Sequence, residues 1–164
     1  MSAARPWIIG GEPIEMLYDE YSDRLYNYIY RLVGRWDIAE ELLQDVFVAA
    51  WEGADRFRGG CKVSTWLYRI AHHKAVDWLR KKKPCRLEQV EWLPAGESPE
   101  REAFASWTAD QVHAALGDLS AKHRAVIELA FMEGLSYREV ADIVGCPVGT
   151  VKSRVSYAKR YLRQ

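Results

Sequence analysis

Thiols and imidazoles are the side chains that an enzymatic reading of this chain of 164 residues must use. They are three cysteines, Cys61, Cys85 and Cys146, and four histidines, among them His72, His73 and His123. A nucleophilic cysteine needs a base beside it and donors placed for an oxyanion. No local motif around Cys61, His72 and His73, or around Cys146 and His123, provides them. Neighbouring histidines on a helix point about a quarter-turn apart, which suits one metal ion poorly. An odd cysteine count without metal-type spacing fits free thiols in a reducing cytosol. We therefore expect no catalytic residue, no metal and no cofactor. The available chemistry is that of cations, hydroxyls and aromatic rings, which is the chemistry of holding a polyanion.

Two groups carry it. From Val148 to Gln164 there is no acidic residue. Lys152, Ser153, Arg154, Ser156, Tyr157, Lys159 and Arg160 fall on one side of a helix whose other side is Val148, Val151, Val155, Ala158 and Leu162. Upstream, Ala54 to Ser64 reads as a loop around Gly59-Gly60, flanked by Phe57, Arg58 and Lys62, with Ser64 or Thr65 capping the helix that follows. That helix, Thr65 to Lys83, shows Tyr68, Arg69, His72, His73, Val76 and Arg80 opposite a core stripe of Leu67, Ile70, Ala71, Ala75, Trp78 and Leu79. A Gly-rich loop beside cations and rings suits single-stranded nucleic acid, held by stacking and backbone attraction.

The elements that must position the first group form a helix-turn-helix. Ser136 and Glu139 make a capping box for a short helix with Val140, Ala141, Ile143 and Val144 on its apolar side. Gly145 ends it in the left-handed conformation, and Pro147 starts the next. The second helix is then free to enter a major groove, its first turns at base edges and its cations near phosphates. Two helices over residues 103–133 give the core beneath: Trp107, Val112, Ala115 and Leu116, then, after a Ser120 cap, Val126, Ile127, Leu129 and Ala130.

The second group sits at the end of another helical set. Met1 to Gly11 reads as a loose leader, with Ile8 and Ile9 able to tuck inward. Glu12 to Val33 is helical through Leu17, Tyr21, Leu25, Tyr28, Ile29 and Leu32, and Ser22-Asp23 can cap a break. After a turn at Gly34 and a cap at Asp37, Ile38 to Trp51 buries Ala39, Leu42, Leu43, Val46, Ala50 and Trp51. Its opposite side is Glu40, Glu41, Gln44, Asp45 and Val48. Pro84 to Glu102 holds three prolines and many polar residues and reads as a linker, although Leu87, Val90, Trp92 and Leu93 keep it partly apolar.

Composition constrains the function further. Lys+Arg and Asp+Glu are 23 each, for zero formal net charge. A protein that held DNA alone by neutralising phosphates would be visibly basic. Here acids gather from Glu12 to Asp45 and bases from Arg69 to Lys83 and Lys152 to Arg163, as in a bridge between DNA and a second partner. No signal peptide and no membrane-length apolar stretch is evident, so we expect a cytoplasmic protein with no membrane contact of its own.

The segments AEELLQDVFVAAW (39–51), FRGGCKVSTWLYRIAHHKAVDWLRKK (57–82) and LSAKHRAVIELAFMEGLSYREVADIVGCPVGTVKSRVSYAKRYL (119–162) together closely resemble the extracytoplasmic-function, or group IV, sigma factors of bacterial RNA polymerase. The resemblance implies an all-α fold of two small helical domains, region 2 over 11–83 and region 4 over 103–164, joined by a flexible linker, 84–102. It implies docking of region 2 on the clamp helices of the polymerase core through Glu41, Gln44, Asp45 and Val48, with region 4 near the flap. Phe57, Arg58, Lys62, Trp66, Tyr68, Arg69, His72 and His73 would melt and hold the −10 strand of promoter DNA. Thr150, Lys152, Ser153, Arg154, Ser156, Tyr157 and Lys159 would face the −35 duplex. An anti-sigma factor is a further implied partner. The alternative is a helix-turn-helix regulator that acts without being a polymerase subunit. Such a regulator would be expected to carry a receiver or ligand-binding first domain with βα alternation.

Overall fold

A computed structural model describes residues 7–82 and 109–163. The readings of Met1–Pro6, of the linker 84–102, of Cys85 and of Trp107 lie outside the described residues, as does the inward placement of Val112. The chain divides into two compact units at Lys81–Lys82.

The first unit opens with a hairpin where a loose leader was expected. Ile8–Ile9 (β1) pairs antiparallel with Glu12–Pro13 (β2), Ile8 opposite Pro13 and Ile9 opposite Glu12. Gly10 and Gly11 between them have φ of 61° and 93°. Two successive positive φ values make the tight turn that matches strand twist, and glycine adopts them without strain. A Cβ on Gly10 would also run into the Val63 methyl Cγ2, so the turn lies against the start of the third helix. Ile9 is fully buried beneath it.

Pro13 then sets the first helix, α1 (Ile14–Val33), which runs unbroken through Ser22. Leu17, Leu25, Tyr28, Ile29 and Leu32 bury one stripe that spans the expected break, and this packing outweighs the local preference of Ser22-Asp23 for a cap. Gly34, at φ 72°, ends α1 by donating its N–H to the Tyr30 carbonyl. The second helix, α2 (Trp36–Gly53), begins two residues before the expected start. Asp37 is therefore inside its first turn rather than capping it. Its carboxylate accepts from Arg35 at 2.6 and 3.2 Å, and that hydrogen bonding holds it below the usual carboxylate range. α2 buries Ala39, Leu42, Leu43, Val46, Phe47 and Ala50. Trp51, expected in this stripe, is instead exposed.

A short 3-10 turn, Ala54–Arg56, and a loop lead to α3 (Val63–Lys82). Ser64 and Thr65 are inside α3, not at its cap: the Trp66 N–H already bonds to the Lys62 carbonyl, and Thr65 is buried. The buried side of α3 is Thr65, Leu67, Tyr68, Ala71, His72 and Ala75. Ile70, Trp78 and Leu79, expected in the core, are only partly covered. The helix is turned because Tyr68 and His72 reach α1. The Tyr28 hydroxyl is hydrogen-bonded to His72 Nδ1 at 2.9 Å, and the Tyr28 and Tyr68 rings meet edge-on at 5.7 Å.

The second unit consists, over its described residues, of α4 (Ala109–Leu116), α5 (Ala121–Ile127), a π-helical continuation Glu128–Met132, α6 (Tyr137–Val144) and α7 (Val148–Leu162). Arg124 of α5 donates to the carbonyls of Leu116, Gly117 and Leu119, each at 2.9 Å, and so fixes the corner between α4 and α5. Burial draws its pKa down, against the opposing pull of Glu128 and Asp118. Leu116, Leu119, Ala125, Val126, Ile127 and Leu129 form the core under the last two helices.

Candidate nucleic-acid interfaces

The helix-turn-helix is built as the residue types require. The Ser136 hydroxyl accepts from the Glu139 N–H at 3.2 Å, while Glu139 Oε2 accepts from the Ser136 N–H at 2.9 Å. Gly145 closes α6 at φ 74° with its N–H on the Ala141 carbonyl, and Pro147 precedes α7. Val151, Val155 and Ala158 seat α7 on the unit. Val148 and Leu162, at the two ends of the expected stripe, are only half-buried.

Of the residues expected to face duplex DNA, Lys152 and Tyr157 are exposed, and Thr150, Ser153, Arg154 and Ser156 are half-exposed. The Ser153 hydroxyl donates to the Gly149 carbonyl at 3.0 Å, back along its own helix. Lys159 does not belong with them. It is 8 % exposed, and its ammonium lies 5.2 Å from the centre of the Phe131 ring. The lysine stem packs inward and its charge rests on an aromatic face, with burial lowering its pKa. Helical spacing alone put Lys159 with the other cations because its long side chain can turn either way. Sequence reasoning also missed a tilted ring contact. The His123 and Tyr157 rings are 4.4 Å apart, and His123 Nδ1 is hydrogen-bonded to the Ser120 hydroxyl at 2.6 Å. Ser120 thus sits at the start of α5 but spends its hydroxyl on His123 rather than on a backbone cap.

The second candidate surface is the loop before α3 together with one side of that helix. Arg58, Lys62 and His73 are exposed, and Phe57, Trp66 and Arg69 are partly so. Lys62, Trp66, Arg69 and His73 follow one another at intervals of four, three and four, which lines them along one helical face. The Phe57 and Trp66 rings meet at 5.2 Å, and Trp66 lies over Gly53. Tyr68 and His72 must be removed from this set. Tyr68 has no exposed surface and His72 only 7 %, because both point into α1. Their polar ring atoms made them look solvent-facing in sequence, whereas each is an aromatic body with a polar end that a partner such as Tyr28 can satisfy.

The outward face of α2 is exposed, while the buried face keeps the expected stripe without Trp51. Glu41, Gln44, Asp45 and Val48 are all exposed, on the side away from Leu42, Leu43 and Val46. Among the described residues no three or more His, Cys, Asp or Glu come together as a metal site.

The sequence matches the families described as Sigma-70 region 2, over residues 17–84, and Sigma-70 region 4, over residues 109–162. It is 33% identical over 160 residues to the ECF RNA polymerase sigma factor SigW of Bacillus subtilis, covering 90% of this chain and 86% of that one. The chain belongs to the ECF sigma factors. The ECF sigma factor RpoE of Cereibacter sphaeroides is 32% identical over 153 residues, covering 90% of this chain and 83% of that one. Among solved structures, the sigma factor RpoE in complex with the anti-sigma factor NepR from Bartonella quintana is similar at a TM-score of 0.69 and 30% identity, over 91% of this chain and 93% of that one. CnrH in complex with the cytosolic domain of CnrY gives a TM-score of 0.68 at 26% identity, over 92% and 84% of the two chains. As an ECF sigma factor this protein is a non-enzymatic initiation factor that directs RNA polymerase to promoter DNA. A helix-turn-helix regulator outside the polymerase would not carry the region 2 match. Among the described residues no helix is long and apolar enough to cross a membrane.

Proposed function

We propose that this ECF sigma factor works by dividing three tasks between two helical domains, 11–83 and 103–164, with 84–102 as the linker. Glu41, Gln44, Asp45 and Val48 on α2 dock on the clamp helices of the polymerase core. Phe57, Arg58, Lys62, Trp66, Arg69 and His73 hold the separated −10 strand. A base leaves its stack only where a ring surface and nearby cations offset an unstacking cost of about a few kcal/mol, and the Phe57–Trp66 pair beside Arg58 and Lys62 supports that role. Thr150, Lys152, Ser153, Arg154, Ser156 and Tyr157 on α7 meet the −35 duplex. The single observation that carries this reading is the segregation of exposed charge: α2 offers Glu41 and Asp45 to a protein, while α7 contains no acid.

The protein acts in the cytoplasm, where the polymerase is. Its solved relatives RpoE and CnrH are held by the anti-sigma factor NepR and by the cytosolic domain of CnrY, and we assign an anti-sigma partner to this chain by analogy. Transcription reconstituted with core polymerase on a genomic library, with start sites mapped, tests the reading. Starts that share −35 and −10 elements are expected only when core and sigma factor are both present. A promoter footprint given by the isolated chain at moderate salt would overturn it.

A further inference from the structure

The amino-terminal hairpin leaves a surface that no task above uses. Trp7, just before β1, and Trp51, at the end of α2, meet edge-on at 5.0 Å, yet stay 45 % and 43 % exposed. The hairpin itself is well anchored: Ile9 is fully buried, and the Ile14 N–H donates to the Trp7 carbonyl at 2.8 Å. An anchored element that holds two indoles half in water is not explained by the unit's own packing, since exposed aromatic pairs are enriched where a partner covers them. Gln44, Val48 and Trp51 follow one another at intervals of four and three, so the indole pair prolongs the exposed stripe of α2. Glu41 and Asp45 border that stripe. Carboxylates there repel a phosphate backbone and favour a basic protein surface, which sets a nucleic-acid partner aside in favour of a protein.

We propose that Trp7 extends the docking face for the polymerase core, with the hairpin carrying the Trp7–Trp51 pair onto the end of a basic helical surface of the largest subunits. This rests on the docking role given above to the α2 face, and the experiment separates the two. Competition binding of the full chain to core polymerase is measured for Trp7→Ala, Trp7→Phe and Asp45→Arg. Trp7→Ala is expected to weaken core binding about tenfold, the loss typical of a truncated interface tryptophan, with Trp7→Phe recovering most of it. If Asp45→Arg weakens binding but Trp7→Ala does not, the hairpin proposal alone fails. If neither changes it, the docking reading fails as well. Hydrogen exchange over residues 7–16, which does not depend on how a variant folds, is expected to slow when wild-type chain binds core. Unchanged exchange in the core complex would overturn the proposal. So would slowing by promoter DNA without core, or loss of self-association in Trp7→Ala with core affinity intact.

Discussion

Tyr28 and His72 meet across the first unit at 2.9 Å in a buried setting. Removing the hydroxyl takes one hydrogen-bond partner from a buried ring nitrogen, and a buried hydrogen bond lost in this way costs about 1–3 kcal/mol. Tyr28→Phe should lower the stability of the first unit by that amount in urea unfolding. A change below a few tenths of a kcal/mol would mean that other partners suffice. Arg35 and Asp37 form an exposed pair with a different signature. Hydrogen bonding from Arg35 lowers the Asp37 pKa, so its small stabilising effect is present above the ordinary value of 3.8 and fades as pH falls through the lower folded-state value. Arg35→Ala should move the Asp37 titration up toward 3.8, as followed by NMR of its carboxyl carbon. Residue-level reading of the sequence went wrong where a side chain has two natures. Tyr68, His72 and Lys159 each pair an apolar body with a polar end, and the tertiary partner, Tyr28 or Phe131, decides which part faces water.

At the scale of elements the helix-turn-helix was legible because its signals are local. Ser136, Glu139 and Gly145 act within one turn of where they stand, and all three do what their types imply. Ser136→Ala should cost about 1 kcal/mol of second-unit stability, read as a drop in the thermal midpoint of that unit. No measurable drop would show that Glu139 caps α6 without help. The hairpin at Ile8–Pro13 was signalled only by Gly10-Gly11, because Ile8-Ile9 on one side and Glu12-Pro13 on the other are strands of two residues that give no alternation to detect. The rotation of α3 and the outward turn of Trp51 were not legible. Both depend on which neighbour a helix meets, and on an amphipathic helix with apolar residues nearly all round, several faces fit the same period.

For the whole molecule, zero net charge with acids and bases apart predicts that promoter affinity should come through the polymerase rather than from the isolated chain. Two substitutions should therefore separate. Lys152→Ala, on exposed surface of α7, should weaken open-complex formation, reduce its salt slope by about one, and leave core affinity unchanged. Asp45→Arg, on the exposed face of α2, should weaken core binding about tenfold or more, as reversed charge against a basic surface does. Equal losses of both properties in Lys152→Ala would contradict the division between units, and unchanged core affinity in Asp45→Arg would remove that residue from the docking face.

The Arg124 corner has a mechanical consequence. One guanidinium serves three carbonyls, at Leu116, Gly117 and Leu119. Withdrawing that single side chain deprives all three of a donor, so the joint between α4 and α5 hangs on one residue like a snap fastener. Arg124→Ala should therefore speed proteolysis within residues 114–120, and unchanged cleavage would show that packing alone holds the joint.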